Sequence, residues 1–389
     1  CALPICKLAA GSGNSKIRGG LVIFQFIITI VLLIATFVVS RQMQYVNQKD
    51  LGFEKEHVMV IHRTSPLGNQ ADAFRQEILK NPHVKQASYS MQVPGNIQSN
   101  TAFYEAGSSA DKSLVMDVTG SDCYFDDTYQ LEMASGRFFS EDFSTDSLAV
   151  VINQMAAERL DFDDPVGKDL YLVRPRGEDQ ALRIIGVMKD FNYASLHEKI
   201  RPLVVFHVNG RTNELSVQLQ GGDPSRIIAS MKEQWESFVP GQPFDYSFME
   251  DDWEAKYRQE KRAGTIFRIF SVLAILIACL GLLGLASFMA EQRTKEIGVR
   301  KVFGASVARI MRILSKEVVV LVVIATLLAW PLAWYLMSNW LQDFAYRVDL
   351  GLSSFVLSSI AALVIALLTI GYRAYRAATA NPAKSLRDE

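Results

Sequence analysis

The stretch Ala290 to Ser306, AEQRTKEIGVRKVFGAS, decides how the chain is organised. It follows one long apolar run and comes shortly before another, and its lysines and arginines outnumber its acids. A basic connection between two membrane spans faces the cytoplasm. The apolar residues Ile297, Val299, Val302 and Phe303 within it fall at near-helical spacing. We therefore expect a short amphipathic helix at the membrane face, which is a natural docking surface for a soluble partner.

Four apolar runs are long enough to cross a bilayer, which takes about 20 residues. Buried helices of a soluble core are the alternative, but core helices seldom run this long without a charge. Lysine and arginine are concentrated before the first run, between the second and third, and after the fourth. This pattern places both termini in the cytoplasm and the segment from Arg41 to Arg262 outside. The predicted spans are residues 21–40, 269–290, 318–336 and 355–372.

The long segment between the first two spans has the composition of a folded domain, or of two subdomains. Apolar and alternating runs within it predict strands, among them 58–62, 149–152 and 203–207, and helices are predicted at 71–80 and 224–238. The predicted fold is an α-helical membrane protein with four transmembrane helices and an α+β extracytoplasmic domain inserted between the first and second spans. The other predicted parts are a cytoplasmic linker at 1–20, the domain at 41–249, a cytoplasmic coupling loop at 291–317, a short external loop at 337–354 and a cytoplasmic tail at 373–389.

Residues 250–268 predict a stalk helix that leads from this domain into the second span. The stretch is charged, and Gly264 alone interrupts it, which a helix tolerates. We expect one continuous helix, whose external part adds roughly 20 Å at 1.5 Å per residue. A flexible charged linker is the alternative. The stalk residues singled out are Trp253, Tyr257, Arg258 and Arg262.

Catalytic and ligand-binding patterns are not apparent in the sequence. The net charge of −1 gives no indication of nucleic-acid binding, and the histidines do not have the spacing of metal ligands. We found no phosphate-binding loop and no nucleophile elbow, so we predict no catalytic, metal or cofactor-binding residue. The predicted spans carry no charged residue, which argues against an ion-coupled transporter or a channel.

The second span carries a series of small residues, which would let another helix approach closely. Simple filling of space by small side chains explains the same pattern equally well. The residues are Ala274, Ala278, Gly281 and Gly284.

Several motifs together resemble the FtsX-like permease of ABC transporters, over residues 269–382. They are AEQRTKEIGVRKVFGAS, then Ser315-Lys316-Glu317, then Asn381-Pro382-Ala383. The external segment is similar to the periplasmic core domain of MacB-type permeases. Its matching stretches are GRFF at 136–139, VVIN at 150–153, PVGK at 165–168 and IIGVMKDF at 184–191.

The resemblance implies a bacterial inner-membrane subunit that works with a cytoplasmic ABC ATPase, which binds the ATP. Such permeases act by mechanotransmission, in which motion of the ATPase reaches the external domain through the stalk. Members of the wider family export lipoproteins, drugs or peptides, or control cell-wall hydrolases. The other implied partners are a second permease unit, membrane lipids and a periplasmic protein. The implied ATPase-coupling residues are Glu291, Arg293, Glu296, Ile297, Gly298, Val299, Arg300, Lys301, Gly304, Ala305 and Ser306.

This sequence departs from the family pattern in two ways. MacB itself carries a fused ATPase ahead of its first span, and no such segment is present here, so we expect the ATPase on a separate subunit. Residues 1–18 resemble the linker between the halves of duplicated relatives, and we expect the chain to be the second half of a longer permease. The second permease unit is then either another copy or a covalently linked half.

Two other functions fit parts of the sequence. A membrane-anchored receptor or scaffold would bind an external partner such as a cell-wall hydrolase and recruit a signalling protein through the inner loop. A membrane-tethered enzyme would need a catalytic constellation, and the sequence offers none that we could identify.

Overall fold

The computed structural model describes residues 13–160, 162–174, 176, 178–208, 212–292, 303 and 306–379. Four of the described helices are long and apolar enough to cross a membrane, which confirms the four predicted spans. These helices are α1 (Gly13–Gln48), α7 (Arg258–Gln292), α8 (Val307–Gln342) and α9 (Leu352–Thr379). The chain divides into a membrane unit and a second compact unit.

The membrane unit comprises the described parts of Cys1–Asn47, Gln259–Asp343 and Arg347–Glu389. Its core has a row of buried alanines at four-residue spacing on α8, namely Ala325, Ala329 and Ala333. Small side chains let helix backbones approach closely, and α9 carries buried alanines of its own at 362 and 366. The indole Nε1 of Trp330 donates to Ser359 Oγ at 2.9 Å, so a polar contact also joins α8 to α9.

Polar side chains connect other helices of the membrane unit. The hydroxyls of Thr36 on α1 and Ser271 on α7 lie 3.0 Å apart. The hydroxyl of Thr369 on α9 donates to Cys279 Sγ on α7 at 3.3 Å. Such contacts satisfy groups that hydrocarbon cannot, and each contributes about 0.6 kcal/mol or somewhat more in membrane bundles.

The second unit is Gln48–Arg258 together with Phe344–Tyr346, and we call it the inserted domain. Its first half, the sheet lobe, is an antiparallel sheet in the order β11-β1-β10-β2, with two helices on its apolar face. Ile61, Phe74 and Trp235 are buried where the helices meet the sheet. The elements are β1 (Val58–His62), α2 (Ala71–Leu79), β2 (Val84–Ser90), β10 (Glu214–Leu219), α5 (Pro224–Phe238) and β11 (Tyr246–Phe248).

The second half, the ring lobe, is a closed ring of six strands in the order β4-β3-β7-β8-β6-β9. The ring closes because β9 also pairs in parallel with β4. Phe103, Ile152 and Leu182 are among the residues buried inside it. A short strand, β5 (Met133–Gly136), pairs with the second half of β8. The other elements are β3 (Asn100–Glu105), β4 (Leu114–Ser121), β6 (Ala149–Asn153), α4 (Gln154–Arg159), β7 (Asp169–Leu172), β8 (Gln180–Met188) and β9 (Leu203–His207). Helix α3 (Phe125–Tyr129) follows β4 in the chain but packs on β2 and β10 of the sheet lobe.

Local sequence explains where the helices of this domain begin. Asn153 caps α4 by accepting a hydrogen bond from the Ala156 amide, and Asp223 caps α5 by accepting one from the Ser225 amide.

The sheets of the two lobes are joined where β2 pairs with β4, and this pairing consists of one residue pair, Ser90 with Ser121. The two lobes therefore share a narrow backbone connection.

Candidate functional site

The helix predicted to run unbroken into the second span is interrupted at Tyr257. The first piece, α6 (Met249–Lys256), belongs to the inserted domain, and α7 begins at Arg258. Tyr257 has φ −106° and ψ 18°, outside the helical range. No glycine or proline stands at the break, so tertiary contacts rather than local sequence hold it.

Those contacts are made by the phenol of Tyr257, which is buried. Its oxygen accepts hydrogen bonds from the Leu196 amide at 2.8 Å and from the Ser195 hydroxyl at 3.4 Å. Its ring stacks on the imidazole of His197, with 5.8 Å between centroids. The loop at 195–197 thus fixes the residue at which α6 ends and the helix of the second span begins.

The short loop between α8 and α9 supplies a second attachment at the same place. Phe344 stacks on His197 with 4.1 Å between ring centroids. The amides of Ala345 and Tyr346 donate to the carbonyls of His197 and Leu196, at 3.2 and 3.3 Å. Lys49, just after α1, lies 4.5 Å above the Tyr346 ring. Three segments therefore belong to the inserted domain. They are the residues just after the first span, the residues just before the second, and the loop between the third and fourth.

A chain of aromatic contacts continues from this attachment into the domain. The ring centroids of Tyr257 and Trp253 are 6.3 Å apart. Those of Trp253 and Phe53 are 5.8 Å apart, and those of Phe53 and Tyr129 are 6.2 Å apart. All four side chains are buried. We call the series Phe344, His197, Tyr257, Trp253, Phe53 and Tyr129 the aromatic column. Close-packed aromatic rings resist compression, so a displacement at Phe344 is expected to reach the lobes.

Of the four predicted stalk residues, Trp253 and Tyr257 belong to the aromatic column, whereas Arg258 and Arg262 are exposed. His197, Phe53 and Phe344 also belong to this site, and none of them was predicted. The one available signal was the pair of aromatic residues Phe344 and Tyr346 in the short run Gln-Asp-Phe-Ala-Tyr-Arg. His197 had no such signal, because its partners are distant in sequence.

The predicted coupling residues lie for the most part beyond the described part of the chain. Glu291 is in the last turn of α7, and Ser306 precedes α8 in an extended conformation. Near the start of α8, Arg309, Arg312 and Lys316 are exposed. The coupling residues outside the described residues are Arg293, Glu296, Ile297, Gly298, Val299, Arg300, Lys301, Gly304 and Ala305.

The small residues of the second span have different surroundings. Ala278 is buried, and Ala274 is half-buried. A Cβ at Gly281 would lie 2.3 Å from the amide oxygen of Gln25 on α1, so Gly281 makes room for that side chain. Gly284 is exposed, and a Cβ there would meet nothing within 4 Å. Close packing of α1 on α7 therefore involves Gly281, while Gly284 has no neighbour within the membrane unit as described.

Two family models match the chain, and together they cover most of it. The MacB-like periplasmic core domain matches residues 20–234, and the FtsX-like permease C-terminal domain matches residues 268–382. The first match alone covers more than half of the sequence. The chain therefore belongs to the MacB/FtsX type of ABC transporter permeases, and the resemblance seen in its motifs is confirmed.

Individual relatives are more distant. The macrolide export ATP-binding/permease protein MacB of Neisseria gonorrhoeae is 28% identical over 216 residues, which cover 52% of this chain and 32% of that protein. An uncharacterized ABC transporter permease, YknZ of Bacillus subtilis, is 24% identical over 51% of each chain. The crystal structure of the periplasmic region of MacB from Actinobacillus actinomycetemcomitans superposes with a TM-score of 0.39 at 14% identity, covering 55% of this chain and 99% of that one. The match thus spans about a third to about half of the length of these curated relatives.

Proposed function

We propose that this chain is the membrane subunit of an ABC transporter that relays motion of a separate cytoplasmic ATPase to the inserted domain. The observation that carries the proposal is the aromatic column. It begins at the loop between α8 and α9 and includes the residue at which α6 gives way to the second span. A break held by packed side chains, rather than by a flexible linker, can pass on displacement instead of absorbing it.

The proposed ATPase contact is the basic connection between α7 and α8, residues 291 to 306. It lies at the far ends of the same two helices whose other ends lead to Tyr257 and Phe344. A push on this connection would therefore move both attachments of the inserted domain. Exposed Arg309, Arg312 and Lys316 extend its positive charge along α8.

The names of related proteins suggest the class of cargo. Related proteins are named for export of macrolides and of pyoverdine. We propose export or extraction of a lipoprotein, peptide or drug, with the inserted domain receiving it or a periplasmic partner protein. A second permease unit and the lipid of a bacterial inner membrane complete the proposed assembly, with both termini in the cytoplasm.

The proposed orientation predicts opposite labelling of two introduced cysteines. Val115→Cys places a thiol at an exposed site of the inserted domain, and Lys301→Cys places one in the basic connection. A membrane-impermeant maleimide added to intact spheroplasts should label Val115→Cys at least tenfold faster. Burial raises the pKa of native Cys123 to about 11, so that thiol contributes little background. Equal labelling of both positions would reject the orientation and the relay with it.

A second prediction concerns the ATPase contact. Val299→Asp puts a charge among the apolar residues of the basic connection, and we expect at least a tenfold loss of co-purified ATPase because an unpaired charge in an interface is costly. Val115→Asp, the same change on the inserted domain, is the matched control and should leave the yield of ATPase unchanged. Undiminished association of the Val299 variant would remove the docking assignment. If no ATPase co-purifies with the unmodified chain, the receptor alternative gains support.

A further inference from the structure

The inserted domain contains a cleft of about 680 Å³ between its two lobes. One wall is the start of α2, from the sheet lobe, and the opposite wall is the loop after β5, from the ring lobe. The floor includes Tyr89, Asp122 and His207. Cavities of 300 to 1,000 Å³ are typical of sites for small organic ligands.

The ring-lobe wall is held in place by an ion pair between the buried carboxylate of Asp146 and the partly exposed guanidinium of Arg137. The guanidinium of Arg137 donates from two nitrogens to the two oxygens of Asp146, both at 2.7 Å. Asp146 also accepts the Ser140 amide at 3.0 Å. This geometry fixes the loop that carries Glu141 and Phe143, so the wall is formed before any ligand arrives.

The charges that face the cleft are mainly negative. Arg75 is the one arginine of the lining, and its side chain is only 4% exposed. Its Nη2 lies 2.7 Å from Asp72 Oδ1 and 3.9 Å from Glu141 Oε1, and its guanidinium lies 3.9 Å from the centre of the Tyr124 ring. The carboxylates of Asp72 and Glu141, by contrast, are 72% and 69% exposed. An anion in the cleft would be repelled by these two carboxylates and would not reach the buried guanidinium.

Each exposed acid keeps an oxygen that the neighbouring side chains do not use. Arg75 engages Oδ1 of Asp72, and the Tyr124 hydroxyl donates to Oε1 of Glu141 at 2.8 Å. Within the described part of the chain, Oδ2 of Asp72 and Oε2 of Glu141 take part in no hydrogen bond or ion pair. Both oxygens are therefore available to a cation.

The floor adds to this negative charge at neutral pH. Burial raises the pKa of Asp122 to about 6, so its carboxyl is ionised at pH 7 and above. Asp122 accepts hydrogen bonds from the Ser88 hydroxyl and from the amides of Tyr89 and Tyr124. Burial lowers the pKa of the His207 imidazole, which contributes no positive charge at pH 7. Three carboxylates thus oppose one covered guanidinium.

We propose that this cleft is a binding site for an organic cation. An ammonium or guanidinium group contacts Oδ2 of Asp72 and Oε2 of Glu141, the oxygens that Arg75 does not engage, and the apolar body of the ligand lies against Phe143, whose side chain is 48% exposed. Asp72 belongs to the sheet lobe and Glu141 to the ring lobe, so a bound cation bridges lobes whose strand ladder is joined by one residue pair. The site goes beyond the proposed relay and does not depend on it, because binding needs no ATPase.

The test uses the full chain in lipid nanodiscs, with tryptamine as the probe and its uncharged analogue tryptophol as the reference ligand. We expect tryptamine to bind, and Asp72→Asn with Glu141→Gln to weaken it at least tenfold while tryptophol changes less than twofold. The matched control is Asp111→Asn with Glu158→Gln, which removes the same charge from exposed positions outside the cleft lining. The control should bind tryptamine as the unmodified chain does.

Two further ligands distinguish the sources of the cation. Acetyl-Trp-Lys-amide and its norleucine counterpart present the same chemistry on a peptide, and tighter binding of the lysine peptide than of tryptamine would assign the cleft to a basic peptide segment. Tighter binding of tryptamine would assign it to a small amine. Equal affinity for charged and uncharged probes, or an equal loss in the control pair, would overturn the proposal. Loss of ATPase association in Val299→Asp tests the relay separately.

Discussion

Alanine at Gly186 is expected to disrupt the ring lobe. A Cβ there would lie 2.2 Å from the carbonyl oxygen of Arg137 and 2.6 Å from the Met133 side chain. The first of these atoms is backbone, so β5 must separate from β8 and lose the hydrogen bond from the Arg137 amide to the Ile185 carbonyl, which measures 3.1 Å. We expect the free energy of unfolding of the inserted domain to fall by about 3 kcal/mol or more. Urea titration of the full chain, read by hydrogen exchange of peptides from β8, measures it.

Gly167→Ala is the matched control for this change. Gly167 has φ +87°, but a Cβ there would meet nothing within 4 Å. The cost is then backbone strain alone, about 1 kcal/mol. If Gly186→Ala lowers the free energy of unfolding no more than Gly167→Ala does, β5 moves aside without losing its pairing with β8. The close approach of the two strands would then contribute little to stability.

Phe344→Ala is expected to release the short loop from the inserted domain. Phe344 is 2% exposed, and truncating a buried phenylalanine costs about 3 to 5 kcal/mol. The two backbone hydrogen bonds that remain contribute about 1 kcal/mol each, which is less than the loss. We therefore expect hydrogen exchange at the Ala345 and Tyr346 amides to become about a hundredfold faster.

Three controls accompany this experiment. Leu196 donates its amide to Tyr257 rather than to the short loop, so its exchange should change much less. Phe143→Ala makes the same truncation at an exposed ring and should leave exchange at Ala345 and Tyr346 unchanged. Association with the ATPase should survive in Phe344→Ala, since the basic connection is untouched. Unaltered exchange at Ala345 and Tyr346 would show that Phe344 does not fasten the loop.

Hydropathy was enough to locate the four membrane helices, because length and apolarity are properties of each segment alone. The predicted strands at 58–62, 149–152 and 203–207 and the helix at 224–238 were found for a similar reason: buried apolar side chains and caps such as Asp223 are local signals. Of these elements, β1 and α5 belong to the sheet lobe, and β6 and β9 belong to the ring lobe.

Elements defined by distant partners were not predictable in this way. Residues 93–120 are poor in helix signals and rich in glycine, serine and asparagine, yet they contain β3 and all but the last residue of β4. In β3 only Phe103 is fully buried and four of the other five residues are half-buried, so burial does not alternate clearly along the strand. The break at Tyr257 also had no local signal, since the Leu196 amide that holds it is 61 residues away. A continuous helix was the reasonable expectation from the local sequence alone.

Closure of the six-stranded ring affects how readily the domain aggregates. A strand edge left unpaired invites addition of a foreign strand, the first step of aggregation and fibril growth. In the ring, the parallel pairing of β9 with β4 removes both edges at once. At the outer end of the sheet lobe, β11 is three residues long and leads directly into α6, which leaves little template for such addition. The domain should therefore remain monodisperse where a domain built on an open sheet would aggregate.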